Sequence, residues 1–439
     1  MKAMKNLMLA CLLLFSIYSS KGEDKLVVHE WGTFTSLQDE DGNAIGGINT
    51  DDEPVPPFVH RLAYYLLLPP SGNGSAGAVA GFSVAGKGIT PKCHPDVTMR
   101  LETPVLYFYP PAGWRSRPVD VQVDFHGGWL SEYYPDAIFK IPGFDSAHPD
   151  RVYSNQSGSQ AFSGFGHIKR DTVGELSWKG VTIGTDGTGP ETQEKVWLAP
   201  RDVKAAMVKT SKGECEKFLF YRGVGNTDAP LRIVRDTKAH VLSVMDHHEA
   251  VNMINADQYL SIHAAWLVQV REDGSCAFKT TGKLEWPEHT ILPDTFNPQD
   301  FSPDNLAHLK EEMRNALVNE GGLTTDEAGA LLKTWETSYF KSPGLRFFYL
   351  CPDADVNSVL PLKISVPSAV TRVMIGRIEI VTPEQRALLE KISADPQPGD
   401  YAKLGRFRNA LILDEQKHHP KKALGDFIQK NSLDAYKVE

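Results

Sequence analysis

The sequence predicts a mainly β fold with an α+β C-terminal part: an antiparallel, β-sandwich-like N-terminal region, then helices and a few strands. Three observations lead there. From Lys25 to about Trp286 the hydrophobic residues recur mostly at every second position, the period of a strand. Clusters of Gly, Asp, Asn and Pro divide that stretch into short runs, as turns between strands do. Beyond Asp300 the spacing becomes helical before strands return.

The first residues read as a secretory signal. Lys2 and Lys5 precede an apolar run from Leu7 to Tyr18, and the small residues Ser19, Ser20 and Gly22 offer a cleavage point, so residues 1–22 are expected to be removed. That run is shorter than the roughly 20 residues a bilayer requires, and no membrane span is expected. Cys11 sits inside the apolar run, which argues against a lipid anchor there. The expected divisions are a β-rich region over 23–299 and an α+β region over 300–439.

Val119, Val121, Val123 and Phe125 alternate with Asp120, Gln122, Asp124 and His126, the pattern of a half-buried strand. Thr98–Tyr109 is apolar or aromatic on both faces beyond Thr103, as a covered central strand would be. Further strands are expected over Leu26–Ser36, Trp129–Tyr134, Val173–Ile183, Lys217–Arg222, Leu231–Val234, Ala239–Met245, Tyr259–Val270 and Cys276–Leu284. Pro69–Gly88, rich in Gly, Ser and Ala, reads as a loop. Ser302-Pro303 supplies a start for a helix running to about Asn319. Thr324 and Glu327 form a capping box for a second helix. Strands follow at Leu345–Leu350, Val359–Val366 and Val370–Val381; Thr382-Pro383-Glu384-Gln385 then caps another helix, and two short helices finish the chain.

Composition narrows the function classes. Hydrophobic content of 41% and charged content of 23% are ordinary for a globular protein, which excludes disorder over most of the chain. Loss of Lys2, Lys5 and Lys21 with the signal takes the formal charge from −9 to −12, too acidic for a nucleic-acid partner. Cys93, Cys215, Cys276 and Cys351 remain; in an oxidising compartment an even number leads us to expect disulfides, with three pairings open.

His29-Glu30-Trp31-Gly32-Thr33-Phe34-Thr35, Arg100-Leu101-Glu102-Thr103-Pro104-Val105-Leu106-Tyr107-Phe108-Tyr109 and Gly344-Leu345-Arg346 carry a resemblance. The chain resembles a large family of secreted bacterial proteins of unknown function, over nearly all of the mature sequence. That resemblance implies export and brings no activity, cofactor or catalytic residue with it.

Several residues could carry chemistry. His29 and Glu30 are a potential ligand and base, yet strand alternation sends them to opposite faces, His29 with Trp31 and Thr33. Arg100 and Glu102, two apart, share a face, where they could orient a sugar, a carboxylate or a water; a structural ion pair is the competing reading. Arg377 and Glu379 repeat the spacing. Asp39, Asp41 and Asn43 alternate oxygens as a calcium loop does, and Asp353, Asp355 and Asn357 do so again, but both lack the glycine and distal glutamate of an EF-hand. Turn chemistry explains the first equally well.

Asp246-His247-His248-Glu249 is the densest run of transition-metal ligands, with an exposed turn as its alternative, and His240, His263 and His289 could join only through folding. Trp129 to Tyr134 could offer rings to a sugar or simply fill a core. No nucleophile elbow, zincin motif, Walker loop or Rossmann fingerprint occurs.

Three classes remain. The first is a periplasmic or extracellular enzyme, a hydrolase or lyase on polysaccharide or another polymer, with Arg100, Glu102, His29 and Tyr107 as catalytic candidates. The second is a carbohydrate- or peptide-binding envelope protein without catalysis. The third is a metal protein, with calcium at Asp39, Asp41 and Asn43 or a transition metal at His247 and His248 as the candidate cofactor.

Overall fold

The computed structural model describes residues 25–49, 55–61, 93–140, 168–247, 260–286, 290–395, 397, 399–431 and 433. The expected signal, the Pro69–Gly88 loop, His248 and His289 lie outside them.

The protein is mainly β, with helices concentrated in the C-terminal part. Eleven strands form the main path of one large mixed sheet. They are β1 (Leu26–Gln38), β2 (Met99–Tyr109), β3 (Pro118–His126), β4 (Gly128–Tyr134), β5 (Val173–Ile183), β6 (Leu219–Gly225), β7 (Ala265–Val270), β8 (Cys276–Thr280), β9 (Gly344–Leu350), β10 (Leu362–Ile364) and β11 (Ser368–Ile380). Their spatial order is β8-β7-β9-β11-β1-β2-β6-β4-β5-β3-β10, so strands from either side of Asp300 interleave. Neighbours run antiparallel except β1 beside β11 and the single Gly128–Val173 pair of β4 and β5. A separate three-stranded sheet joins Leu231–Asp236, Val241–Asp246 and Thr290–Pro293.

The helices are α1 (Lys195–Arg201), α2 (Asn305–Asn319), α3 (Thr325–Thr334), α4 (Asp353–Val359), α5 (Pro383–Ala394), α6 (Arg408–His418) and α7 (Lys422–Asn431). Two cores result. On the front face Trp31, Val105, Tyr107 and Trp266 pack with Trp197 of α1, Leu309 and Met313 of α2, and Leu331 of α3. On the back face Val28, Leu106 and Met374 pack with Leu389 of α5, Leu411 of α6 and Leu424 of α7. A sheet covered on both sides explains why β1 and β2 are apolar on alternate and intervening residues alike.

Local rules placed several boundaries. Both capping boxes form: Thr324 accepts from the Glu327 N–H and Thr382 from the Gln385 N–H. The helix expected from Ser302 begins at Asn305, because Ser302 exchanges backbone hydrogen bonds with Cys276 and stays extended. Asp353–Val359 is a helix and not an ion-binding loop. Trp129, Leu130, Ser131, Glu132, Tyr133 and Tyr134 are all buried, so this aromatic run is core on both faces and offers no sugar platform. Among the described residues no disulfide joins Cys93, Cys215, Cys276 and Cys351, which corrects the disulfide expectation. Their places in the fold, which spacing along the chain does not reveal, decide that outcome: Cys215 and Cys276 lie in strands, Cys93 and Cys351 in connections. No helix among the described residues is long and apolar enough to cross a membrane.

Candidate functional site

The sequence-predicted residues sit on β1 and β2, whose register has one irregularity. Trp31 pairs with Val105 but Thr33 with Glu102, so β2 carries an extra residue there. Thr103, at φ 50°, absorbs it. The bulge shifts the alternation by one, so Arg100 and Glu102 face the same side as Val105, Tyr107 and Tyr109. That is the front side, with His29, Trp31, Thr33 and Thr35. Gly32 is needed opposite the bulge, since a Cβ there would lie 2.9 Å from Pro104 Cα and from Met374 Sδ.

Arg100 and Glu102 do share a face, with Nε to Oε1 at 3.5 Å, but they are only 7% and 4% exposed. Glu102 accepts hydrogen bonds from Thr35 Oγ1 (2.8 Å), Tyr339 OH (2.6 Å) and Arg406 Nη2 (2.5 Å). Burial would raise its carboxyl; Arg406, Arg100 and Arg377 outweigh that and hold it far below the usual range. Behind it, Arg377 donates Nε to Glu379 (2.7 Å), and Arg346 Nε lies 3.2 Å from the same carboxylate.

These arginines also close a helix end. A π-helical turn over Glu336–Lys341 follows α3. Arg377 donates to the Ser338 carbonyl (3.0 Å), and Arg346 donates to the carbonyls of Tyr339 and Ser342, the latter at 2.7 Å. The Arg377 guanidinium lies 4.2 Å from the Tyr339 ring centre. Burial, with Arg377 and Arg406 nearby, pushes Arg346 down to about 10 despite Glu379. The cluster is a closed electrostatic clasp inside the front core.

Tyr107 is also core: its OH donates to the Pro200 carbonyl at 3.0 Å, and burial raises its pKa well above the ordinary value. His29 does not converge with Glu102. Glu102 is opposite Thr33, four residues along β1, about 13 Å at ~3.3 Å per residue, and Trp31 packed edge-on against Trp335 intervenes. Instead the His29 Nδ1 lies 2.9 and 3.1 Å from the two oxygens of Glu327, which also accepts from Tyr109 OH at 2.7 Å. Glu327 is fully buried. Nothing in the sequence marked Glu327 beyond its capping role; 298 residues separate the partners. Glu30 points to the back face, as alternation requires, and pairs with Arg372 at 2.5 Å.

The metal candidates are otherwise engaged. Asp39 Oδ1 accepts the N–H groups of Asp41 (3.0 Å) and Asn43 (2.7 Å), the turn chemistry that competed with calcium. Arg232 Nη2 donates to the Asp41 carbonyl and to Asn43 Oδ1 (3.0 Å), placing a cation of the protein's own among those oxygens. His247 Nε2 lies 3.3 Å from Asp228, which also accepts from Arg170 at 2.5 Å. Among the described residues no three His, Cys, Asp or Glu side chains are arranged to hold a metal ion.

A cleft of about 830 Å³ opens where the turn after β1 meets α5 and α6. Carboxylates of Asp39, Glu40, Asp41, Glu390, Asp414 and Glu415 line it, against two cations, Arg386 and Lys421. Arg386 is the hub, donating to Glu40 (3.0 and 3.1 Å), Asp414 (3.0 Å) and Glu415 (3.2 Å). His418 and His419 stand at the rim, 3.4 Å from Asp414 and Glu415 respectively. Arg100 and Glu102 are not among its lining residues.

No family model matches the chain, and no curated protein matches it. Among solved structures it is similar to the Fcho1 Mu homology domain of Danio rerio with bound Eps15 peptide. The match has a TM-score of 0.26 and 8% identity, and it covers 82% of this chain and 97% of that one. A score this low carries no argument about fold or function.

Proposed function

We propose that this is an exported protein that binds a basic peptide segment in the acidic cleft between the β1 turn, α5 and α6. The cleft's charge carries the reading: six carboxylates face two cations in a concavity large enough for several side chains. Glu390 makes no side-chain ion pair among the described residues, so an ammonium or guanidinium group can meet it without displacing Arg386. No Trp, Tyr or Phe lines the cleft, which favours a cationic ligand over a sugar that stacks on rings. Export rests on Lys2, Lys5 and the apolar run Leu7–Tyr18, and on the motifs at His29–Thr35 and Arg100–Tyr109 that resemble secreted bacterial proteins. Hydrolysis of a polysaccharide by Arg100 and Glu102 gains no support, because both are committed inside the core.

Calorimetric titration with tetralysine tests the reading, with spermine and tetraglutamate as comparators. Tetralysine is expected to bind saturably at low salt, more tightly than spermine, and to weaken as salt rises. Glu390→Gln should weaken it and Lys421→Gln strengthen it, each about 2- to 5-fold, the effect of one exposed charge pair. Equal affinity for both variants and the parent, or no saturable heat, refutes it.

A further inference from the structure

At the opposite end of β1 lies a second arrangement, independent of the cleft. We propose that His29, oriented by Glu327, is a general base at which water hydrolyses an acyl ester whose apolar body lies on the exposed end of the sheet's front face.

The orientation follows from the partners. Glu327 is held by the Thr324 N–H (2.7 Å), the Tyr109 OH (2.7 Å) and His29, and it sits in the first turn of α3. Burial pushes its carboxyl up, and those three hydrogen bonds outweigh the burial, so it is held below its ordinary value. Tyr109 is driven the other way, by burial first and then by Glu327, and keeps its proton. An ionised carboxylate only accepts hydrogen bonds, so Nδ1 carries a proton, and the neutral imidazole has its lone pair on Nε2.

Nε2 makes no hydrogen bond among the described residues. The His29 side chain is 13% exposed, and its open edge reaches solvent. The Tyr109 ring stands edge-on to the imidazole, with centres 5.3 Å apart.

The surroundings suit an apolar acyl group. In the parallel pairing His29 is beside Thr371 and Val27 beside Ala369, so these four share the front face. The sheet's end is left open there: Val27 is 36% exposed, Ala369 is exposed, and Thr371 is half-buried. A shelf of Val27, Ala369 and the Tyr109 ring therefore borders a pre-aligned base.

The step balances without another reactant. Nε2 takes a proton from water as the water oxygen bonds to the acyl carbon. The tetrahedral adduct then breaks its C–O ester bond, and the imidazolium returns that proton to the departing alkoxide, giving acid and alcohol. Glu327 is a positioning residue that stabilises the imidazolium.

The probe is p-nitrophenyl butyrate with the full-length protein. His29→Gln should slow hydrolysis about 100-fold, the usual worth of a general base. Glu327→Gln keeps the capping box, since Gln serves at that helix position as Glu does. It should lower kcat more than it changes KM, and ¹⁵N NMR should show the single Nδ1–H tautomer of His29 replaced by a mixture. Tyr109→Phe, which leaves the dyad in place, should fold normally and retain the tautomer. Equal hydrolysis by the parent and His29→Gln, or an Nε2–H tautomer in the parent, overturns the proposal.

Discussion

Replacing Glu102 by Gln tests whether the Arg–Glu clasp is structural. The substitution keeps the shape and an acceptor for Thr35 and Tyr339 but removes the negative charge facing Arg100, Arg406 and Arg377. Those guanidiniums stay in the core, so the cost is that of breaking a buried pair from one side, about 3–5 kcal/mol. At ~2 °C per kcal/mol for a chain of this size, the melting temperature should fall by roughly 6–10 °C.

The effect has a pH signature. The Glu102 carboxyl is depressed from an ordinary 4.5, so its contribution is full above that value and disappears as pH falls through the lower folded-state pKa. The gap between parent and variant should therefore be constant above about pH 5 and narrow below it. Differential scanning calorimetry across pH is the assay. A variant that melts within about 2 °C of the parent at neutral pH would show that the guanidiniums do not depend on Glu102.

Other consequences are as direct. Gly376→Ala would place a Cβ 1.9 Å from the Tyr349 ring, so it should destabilise by about 1–3 kcal/mol in urea unfolding, with Tyr349→Leu recovering part of the loss. The buried Cys93, Cys215 and Cys276 should resist a thiol reagent in the folded protein and react after denaturation; burial pushes Cys276 up to about 11. A disulfide found by mass spectrometry would contradict this. Salt-sensitive tetralysine binding checks the cleft, and tautomer-coupled ester hydrolysis checks His29.

How much of this the sequence disclosed depends on the range of each interaction. The capping boxes at Thr324 and Thr382 and the alternation of Val119–His126 are local, and they formed as read. So did the shared faces of Arg100 with Glu102 and of Arg377 with Glu379. The bulge at Thr103 was not visible, because Thr gives no sign of a positive φ, and simple alternation puts Tyr107 on the face opposite Glu102. Arg406 as the partner of Glu102, Glu327 as the partner of His29, and the cleft itself arise from segments hundreds of residues apart. No period or spacing encodes such meetings.

The parallel pairing of β1 with β11 has a kinetic meaning. Leu26 meets Ser368 and Gln38 meets Ile380, so β1 takes as one neighbour a strand more than 300 residues further along the chain. A chain emerging from its N-terminus, whether from a ribosome or a membrane pore, holds β1 without one of its two neighbours until almost everything else has been delivered. Such distant contacts make for slow closure, and a product truncated before Ser368 would present an unfilled slot along its central strand.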